Sequence, residues 1–120
     1  MKKTVMICDD AMFLRAALKK IIEAGDFEVI AEAANGMEAI QMYQKFRPDV
    51  VTMDITMPEM DGIAAVEAIM ELDPQANIVM CSAMGQQEKV IGAISAGAKD
   101  FIVKPFEEER VLEALERVFD

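Results

Sequence analysis

The hydrophobic residues of this chain follow two alternating patterns along its length. Five short runs are almost continuously apolar, which is typical of strands buried on both faces of a parallel sheet. These runs predict strands at residues 4–8, 27–31, 50–53, 77–81 and 101–103. After each run, apolar residues recur at spacings of three and four, the pattern of a helix with one buried face. The chain therefore reads as five successive strand–helix units.

Turn and capping residues support these boundaries. Two glycines follow the first and fourth helical segments as C-terminal caps, and an asparagine precedes the second as an N-cap. Two prolines lie in the turns before the third and fourth strands, and three glutamates open the last helix, where the helix dipole favours acids. The two glycines are Gly25 and Gly97, and the asparagine is Asn35. The two prolines are Pro48 and Pro74, and the three glutamates are Glu107, Glu108 and Glu109.

Five repeated strand–helix units are the pattern of an α/β protein with a parallel sheet. Right-handed crossovers then place helices on both faces of that sheet. We therefore predict a doubly wound (βα)5 three-layer sandwich of the flavodoxin-like type, with a five-stranded parallel sheet in the order 2-1-3-4-5. The length of 120 residues predicts one domain, residues 1–120.

Composition excludes several classes of function. Twelve Lys and Arg against 22 Asp and Glu give a formal charge of −10, so we expect no binding to nucleic acid or to anionic membranes. The absence of histidine excludes His-based catalytic triads and zinc sites built on histidine. No signal peptide and no apolar run of ~20 residues is present, so the expected location is the cytoplasm. Cys8 and Cys81 lie in separate predicted strands, which favours buried, reduced thiols.

Four of the five predicted strands end in polar or charged residues. Asp9 and Asp10 follow the first strand and Asp54 the third, while Ser82 and Lys104 follow the fourth and fifth. The carboxyl ends of parallel strands share one edge of the sheet, and ligands bind there where the strand order reverses. The first and third strands are neighbours at that point, so we expect the three aspartates to converge.

Three converging carboxylates need a counter-charge. Each pair about 5 Å apart repels by roughly 3 kcal/mol at an effective dielectric constant near 20. Mg²⁺ suits such a site, since it takes a few carboxylates together with waters and a phosphate oxygen. The calcium-loop pattern of alternate oxygen ligands over about twelve residues is absent from the sequence. These residues therefore favour Mg²⁺ over Ca²⁺.

Taken together, these strand-end residues resemble the receiver domain of two-component response regulators, and the resemblance covers essentially the whole chain. Its motifs are Asp9-Asp10, Asp54 within Met-Asp-Ile-Thr-Met-Pro-Glu-Met-Asp-Gly, Ser82-Ala83 and Lys104-Pro105. The closest similarity is to the free-standing chemotaxis regulators of Gram-positive and thermophilic bacteria. It lies in residues 52–62, 81–87 and 96–106.

The resemblance implies roles at the acidic cluster. Asp54 would accept a phosphoryl group from a phosphohistidine on a separate chemotaxis kinase. Asp10 and Asp54 would bind Mg²⁺ directly, together with the main-chain carbonyl of Thr56, while Asp9 would act largely through water. Lys104 would contact the phosphoryl oxygens, aimed by the cis Lys-Pro bond that is typical of the family.

The resemblance also implies a switch. The Ser82 hydroxyl would donate a hydrogen bond to a phosphoryl oxygen, and Phe101 lies at the position of the aromatic that turns inward on activation. Ser82 stands where Thr is commoner, and Phe101 stands where the enteric chemotaxis regulator has Tyr. An inward Phe101 would therefore rest on packing alone. The protein would be a phosphorylation-controlled switch rather than an enzyme, with slow loss of its own phosphoryl group.

Three partners are implied by the resemblance: a chemotaxis histidine kinase, a flagellar motor switch protein and a dedicated phosphatase. The chain ends as the predicted fifth helix finishes, without a basic output domain, so we expect a monomer whose own surface is the output. The expected docking face is formed by the fourth helix, fifth strand and fifth helix. It would carry Val90, Phe101 and the segment from Glu107 onward.

Other functions remain open at this point. A phosphorelay intermediate that passes its phosphoryl group to a histidine phosphotransfer protein would carry the same residues, as would the receiver part of a transcription factor. A phosphatase of the haloacid dehalogenase type would need an acid where Thr56 stands. A flavodoxin would need hydroxyls and glycine after the first strand, where Asp9 and Asp10 would repel its phosphate.

Overall fold

The structure is a computed structural model that describes residues 2–120. Within that range, five strands alternate with five helices. The strands are β1 (Lys3–Cys8), β2 (Phe27–Ala33), β3 (Val50–Asp54), β4 (Ile78–Ser82) and β5 (Asp100–Val103). The helices are α1 (Met12–Ala24), α2 (Gly36–Phe46), α3 (Gly62–Leu72), α4 (Gln87–Ala96) and α5 (Glu108–Arg117). Every predicted strand is present, and each end lies within two residues of its predicted position.

The strands form one parallel sheet in the order β2-β1-β3-β4-β5, which confirms the predicted doubly wound fold. The register places Cys8 opposite Met53 and Asp54 opposite Cys81. Asp9 follows β1 directly, so it leaves the sheet beside the carboxyl end of β3. The strand order thus brings residues that are far apart in sequence to one edge of the sheet.

Alternate side chains of each strand pack into two separate cores. Val5 and Ile7 face the core shared with α1 and α5, whereas Met6 and Cys8 face the core shared with α2, α3 and α4. Burying one Val, Leu or Ile contributes about 1.5 to 3 kcal/mol, so a strand held on both faces resists displacement. The two thiols are free and buried, Cys8 in one core and Cys81 in the other.

Helix ends follow the capping residues that the sequence predicts. The Asn35 side chain accepts a hydrogen bond of 2.9 Å from the Glu38 amide at the start of α2. Gly97 ends α4 with a φ of 128°, a conformation that favours glycine. Glu108 and Glu109 lie in the first turn of α5. Among residues 2–120, the longest helix is α1, with 13 residues. None of the helices in this range is long and apolar enough to cross a membrane.

Gly62, the first residue of α3, packs directly against the end of β3. Its amide donates a hydrogen bond of 2.7 Å to the Ile55 carbonyl. A Cβ atom at position 62 would lie 2.1 Å from the carbonyl oxygen of Asp54, far inside any van der Waals contact. Only glycine therefore allows α3 to approach the backbone of Asp54 this closely.

We expect Gly62→Ala to destabilise the protein by about 3 kcal/mol, because either α3 or the backbone of Asp54 must shift to admit the methyl group. Urea denaturation gives the free energy of unfolding. Gly92→Ala is the matched control: it lies within α4, and an added Cβ there meets its nearest atom, Ile63 Cδ1, at 3.6 Å. That control should be neutral or stabilising by up to about 1 kcal/mol. Equal stabilities for the two variants would contradict the close-approach argument.

Candidate metal site at the carboxyl edge of the sheet

Three aspartates form the centre of the site. Asp9 and Asp10 follow β1 and Asp54 ends β3, and one carboxylate oxygen of each lies within 4.8 Å of the others. Asp9 and Asp54 are buried, with 3% and 6% of their surface exposed, whereas Asp10 is open to solvent. The predicted convergence of these three residues is therefore present in the structure.

Lys104 provides positive charge to the aspartate cluster. It follows β5, and its Nζ lies 3.1 Å from Asp9 Oδ2 and 3.2 Å from Asp54 Oδ1. The bond between Lys104 and Pro105 is cis, as expected from the family resemblance. The lysine thus bridges the two buried carboxylates and leaves the exposed Asp10 to solvent.

Burial and neighbouring charges both shift the pKa values of Asp54 and Lys104. Burial, together with the negative charge of Asp9, raises the pKa of Asp54 to about 6, while Lys104 acts in the opposite direction. Burial by itself lowers the pKa of Lys104, but the charges of Asp54 and Asp9 outweigh it, so that this pKa is raised. Lys104 therefore stays charged at neutral pH and offsets only part of the repulsion between the carboxylates.

Asp9 and Asp10 differ in how many of their oxygens are already in use. Asp9 Oδ1 accepts a hydrogen bond of 2.9 Å from the Ala11 amide, and its Oδ2 contacts Lys104. Within residues 2–120, the carboxylate of Asp10 makes no hydrogen bond or ion pair. Asp10 is therefore the better placed of the two to bind a cation directly.

Arg15 on α1 holds the backbone at Asp9 in place, a role that the sequence does not indicate. Its guanidinium donates a hydrogen bond of 2.5 Å to the carbonyl of Asp9 and pairs with Glu32 of β2 at 3.0 Å. This contact ties the loop after β1 to the neighbouring strand. A basic residue six positions after Asp9 was the available signal, but a helix carries many such residues on its solvent face.

Ser82 and Thr56 lie next to the cluster, Ser82 at the end of β4 and Thr56 in the loop after β3. Ser82 is buried at the end of β4, and its hydroxyl donates a long hydrogen bond of 3.5 Å to the Ile102 carbonyl. The Thr56 hydroxyl accepts a hydrogen bond of 3.1 Å from the side chain of Gln86. The sequence does not indicate a role for Gln86, because nothing distinguishes it from the neighbouring Gln87. Coordination of a metal by the Thr56 carbonyl stays a prediction.

Phe101 lies on β5 with 39% of its surface exposed. Beside it is a groove of about 450 Å³, lined by Ser82, Val90 and Phe101 among others. The structure thus places an aromatic ring, a hydroxyl and open space next to one another. An inward movement of the ring stays a prediction.

The donor set of the site fits Mg²⁺. The available ligand atoms are carboxylate oxygens, which are the hard ligands that Mg²⁺ prefers, and the sequence has no histidine to favour a softer metal. The exposed carboxylate of Asp10 also gives a cation access from solvent.

Comparison with known proteins identifies the family of this chain. Residues 5–116 match the model of the response regulator receiver domain. The chain is 60% identical over 118 residues to the chemotaxis protein CheY of Thermotoga maritima, covering 98% of each protein. It is 57% identical over 120 residues to CheY of Bacillus subtilis, covering all of both proteins.

A solved structure shows the same architecture. A chain in the crystal structure of the CheX–CheY–BeF3–Mg²⁺ complex from Borrelia burgdorferi superimposes with a TM-score of 0.93 at 41% identity. The match covers 98% of this chain and 90% of that one. With the parallel sheet in the order 2-1-3-4-5, the aspartate cluster and a family match over nearly its whole length, this chain belongs to the response regulator receiver domain family.

Proposed function

We propose that this protein is a chemotaxis response regulator of the CheY kind, which accepts a phosphoryl group on Asp54 in the presence of Mg²⁺. The observation that carries the proposal is the position of Asp54. It ends the buried strand β3 between the acidic pair and Lys104. Within residues 2–120, only its Oδ1 is engaged, by Lys104, so Oδ2 is available for attack.

In the proposed reaction, the donor is a phosphohistidine on a chemotaxis histidine kinase. The free oxygen of Asp54 attacks phosphorus, and the bond between phosphorus and the imidazole nitrogen breaks. The imidazole keeps the electron pair and takes up a proton from solvent. Lys104 holds its ammonium group beside the attacked carboxylate, where it stabilises negative charge that develops on the phosphoryl oxygens. The chain takes up the group once per cycle, as a switch rather than as a turnover enzyme.

Asp10, Asp54 and the main-chain carbonyl of Thr56 would hold Mg²⁺, with Asp9 acting through water, and the ion would supply positive charge to the transferring group. The aspartates carry −3, Mg²⁺ +2 and Lys104 +1, so the charges cancel. A phosphoryl group of about −2 replaces the −1 of the Asp54 carboxylate, which leaves about −1 at the site. This added charge attracts the nearest hydrogen-bond donors.

The proposed switch begins with one of these hydrogen-bond donors, the hydroxyl of Ser82. The Ser82 hydroxyl exchanges its long bond to the Ile102 carbonyl for a shorter one to a phosphoryl oxygen. Movement of Ser82 reshapes the groove that it shares with Phe101 and Val90, so that the ring of Phe101 turns inward. A local change of charge thus alters the face formed by α4, β5 and α5.

We propose that this face binds a flagellar motor switch protein after phosphorylation. The face carries exposed apolar side chains at Phe101, Val103 and Ile91. The protein acts as a monomer in the cytoplasm. In the Borrelia complex, CheY is bound to a second protein, CheX. We include a dedicated phosphatase among the proposed partners of this chain.

Acetyl phosphate with Mg²⁺ should label the wild-type protein at Asp54, and Asp54→Asn should abolish the label. Radiolabel incorporation measures the extent, and mass spectrometry after borohydride reduction locates the residue. Asp26→Asn is the control, because Asp26 is exposed and precedes β2 at the opposite edge of the sheet. Stoichiometric labelling of Asp54→Asn at another residue would refute the assignment.

Mg²⁺ affinity should fall at least about 10-fold in Asp10→Ala and clearly less in Asp9→Ala. Asp10 has free oxygens for direct coordination, whereas those of Asp9 are already held by Ala11 and Lys104. Calorimetric titration with MgCl₂ gives the dissociation constants, with Asp26→Ala as the control for loss of one negative charge. Equal losses in the two variants would remove the proposed distinction between direct and water-mediated ligands.

Beryllofluoride activation should raise affinity for a short segment of a flagellar motor switch protein. Allosteric coupling of this kind is commonly about 5- to 150-fold. Isothermal titration calorimetry on the protein with and without beryllofluoride and Mg²⁺ measures the change, and Phe101→Ala should reduce it. If both wild-type states bind the segment equally, the motor-switch role is wrong. Phosphoryl transfer to a histidine phosphotransfer protein would then favour the phosphorelay intermediate.

A further inference from the structure

The side chain of Gln86 joins the two loops that flank Asp54. Its Oε1 accepts a hydrogen bond of 2.7 Å from the Ala83 amide, and its Nε2 donates one of 3.1 Å to the Thr56 hydroxyl. Both ends of one carboxamide are therefore in use. We call this pair of hydrogen bonds the Gln86 bridge.

The Gln86 bridge spans the gap between the carboxyl ends of β3 and β4. Asp54 and Cys81 are partners in the register of these two strands. Thr56 lies two residues after Asp54, and Ala83 follows Ser82 directly. The bridge therefore connects the loop that follows Asp54 to the segment that positions the Ser82 hydroxyl.

The loop between β4 and α4 is otherwise weakly held. Ala83, Met84 and Gly85 are exposed, and Gly85 has a φ of 88° with open space around its Cα. Over residues 2–120, Gln86 is the residue whose side chain ties this loop to the loop after β3. In contrast, the strand before it is buried along all five of its residues. The bridge is thus a side-chain restraint on this exposed loop.

We propose that the Gln86 side chain restrains the switch, because it holds Ser82 and Thr56 in the arrangement in which Phe101 is exposed. This inference rests on the proposed function. For Ser82 to approach a phosphoryl group on Asp54, it must leave the Ile102 carbonyl and draw Ala83 with it. The Gln86 bridge does not survive that movement, because its two hydrogen bonds require Ala83 and Thr56 to keep their present separation. The bridge therefore stabilises the conformation with Phe101 exposed and opposes activation.

Removal of the bridge should favour the activated conformation. Two neutral hydrogen bonds are lost with Gln86→Leu, and we expect beryllofluoride with Mg²⁺ to bind about 3- to 10-fold more tightly than to the wild type. Calorimetry measures that affinity. Gln87→Leu is the matched control: this adjacent, exposed glutamine makes no side-chain hydrogen bond within residues 2–120. Equal affinities for the two variants, or weaker binding by Gln86→Leu, would overturn the inference.

A double-mutant cycle tests whether Gln86 acts through Thr56. Thr56→Val keeps the shape of the side chain but removes the acceptor of one of the two hydrogen bonds. The effect of Gln86→Leu on beryllofluoride affinity should therefore be smaller in the Thr56→Val background than in the wild type. Independent effects of the two substitutions would contradict a bridge that spans both loops.

An NMR measurement separates this inference from the proposed function. The temperature coefficient of the Ala83 amide proton reports its hydrogen bond, and it should change in Gln86→Leu and stay unchanged in Gln87→Leu. Addition of beryllofluoride to the wild type should produce the same change. If the wild type fails to bind beryllofluoride, both the proposed function and the restraining role of Gln86 are wrong. If it binds while the Ala83 amide is unaffected, only the role of Gln86 is wrong.

Discussion

The repulsion between three carboxylates at one sheet edge is the constraint on which the rest of this structure depends. Two of them, Asp9 and Asp54, are buried, and a pair of like charges about 5 Å apart costs roughly 3 kcal/mol at an effective dielectric constant near 20. Lys104 offsets part of this cost, yet the pKa of Asp54 is still raised to about 6. A further cation at this site would therefore stabilise the structure, because one lysine offsets only part of the charge of three aspartates.

Only a rigid framework can hold such a cluster together. The strands that carry the aspartates pack against helices on both faces, and α3 approaches so closely that position 62 has no room for a Cβ atom. Arg15 adds a polar restraint by binding the carbonyl of Asp9. Because the sheet is packed on both faces, the proposed switch places the response to a change of charge at Asp54 in the exposed loop after β4 and in the side chains next to it.

The sequence predicts the framework well because its signals are local and repeated. Apolar runs and helical spacings predict the strands and helices, and the strand order then predicts that Asp9, Asp10 and Asp54 share an edge. Gln86 and Arg15 could not be found this way. Their roles depend on which acceptor a flexible side chain reaches in three dimensions, and Gln86 and Gln87 are equivalent in sequence. The raised pKa of Asp54 likewise follows from burial, which spacing alone does not measure.

In the proposed switch, the contrast between a buried strand and the exposed loop after it would direct the conformational change. The five residues of β4 are buried, whereas the loop that follows begins with three exposed residues and includes a glycine with positive φ. Ser82 lies at the boundary, so in the proposed switch it leaves the Ile102 carbonyl for a phosphoryl group on Asp54 and draws Ala83 with it, while the preceding residues of β4 stay in place. In the proposed switch, the displacement of Ser82 would pass to this loop, where the Gln86 bridge opposes movement and the groove beside Phe101 provides space. The two hydrogen bonds of the bridge and the size of that groove would together set how much phosphorylation changes the face formed by α4, β5 and α5.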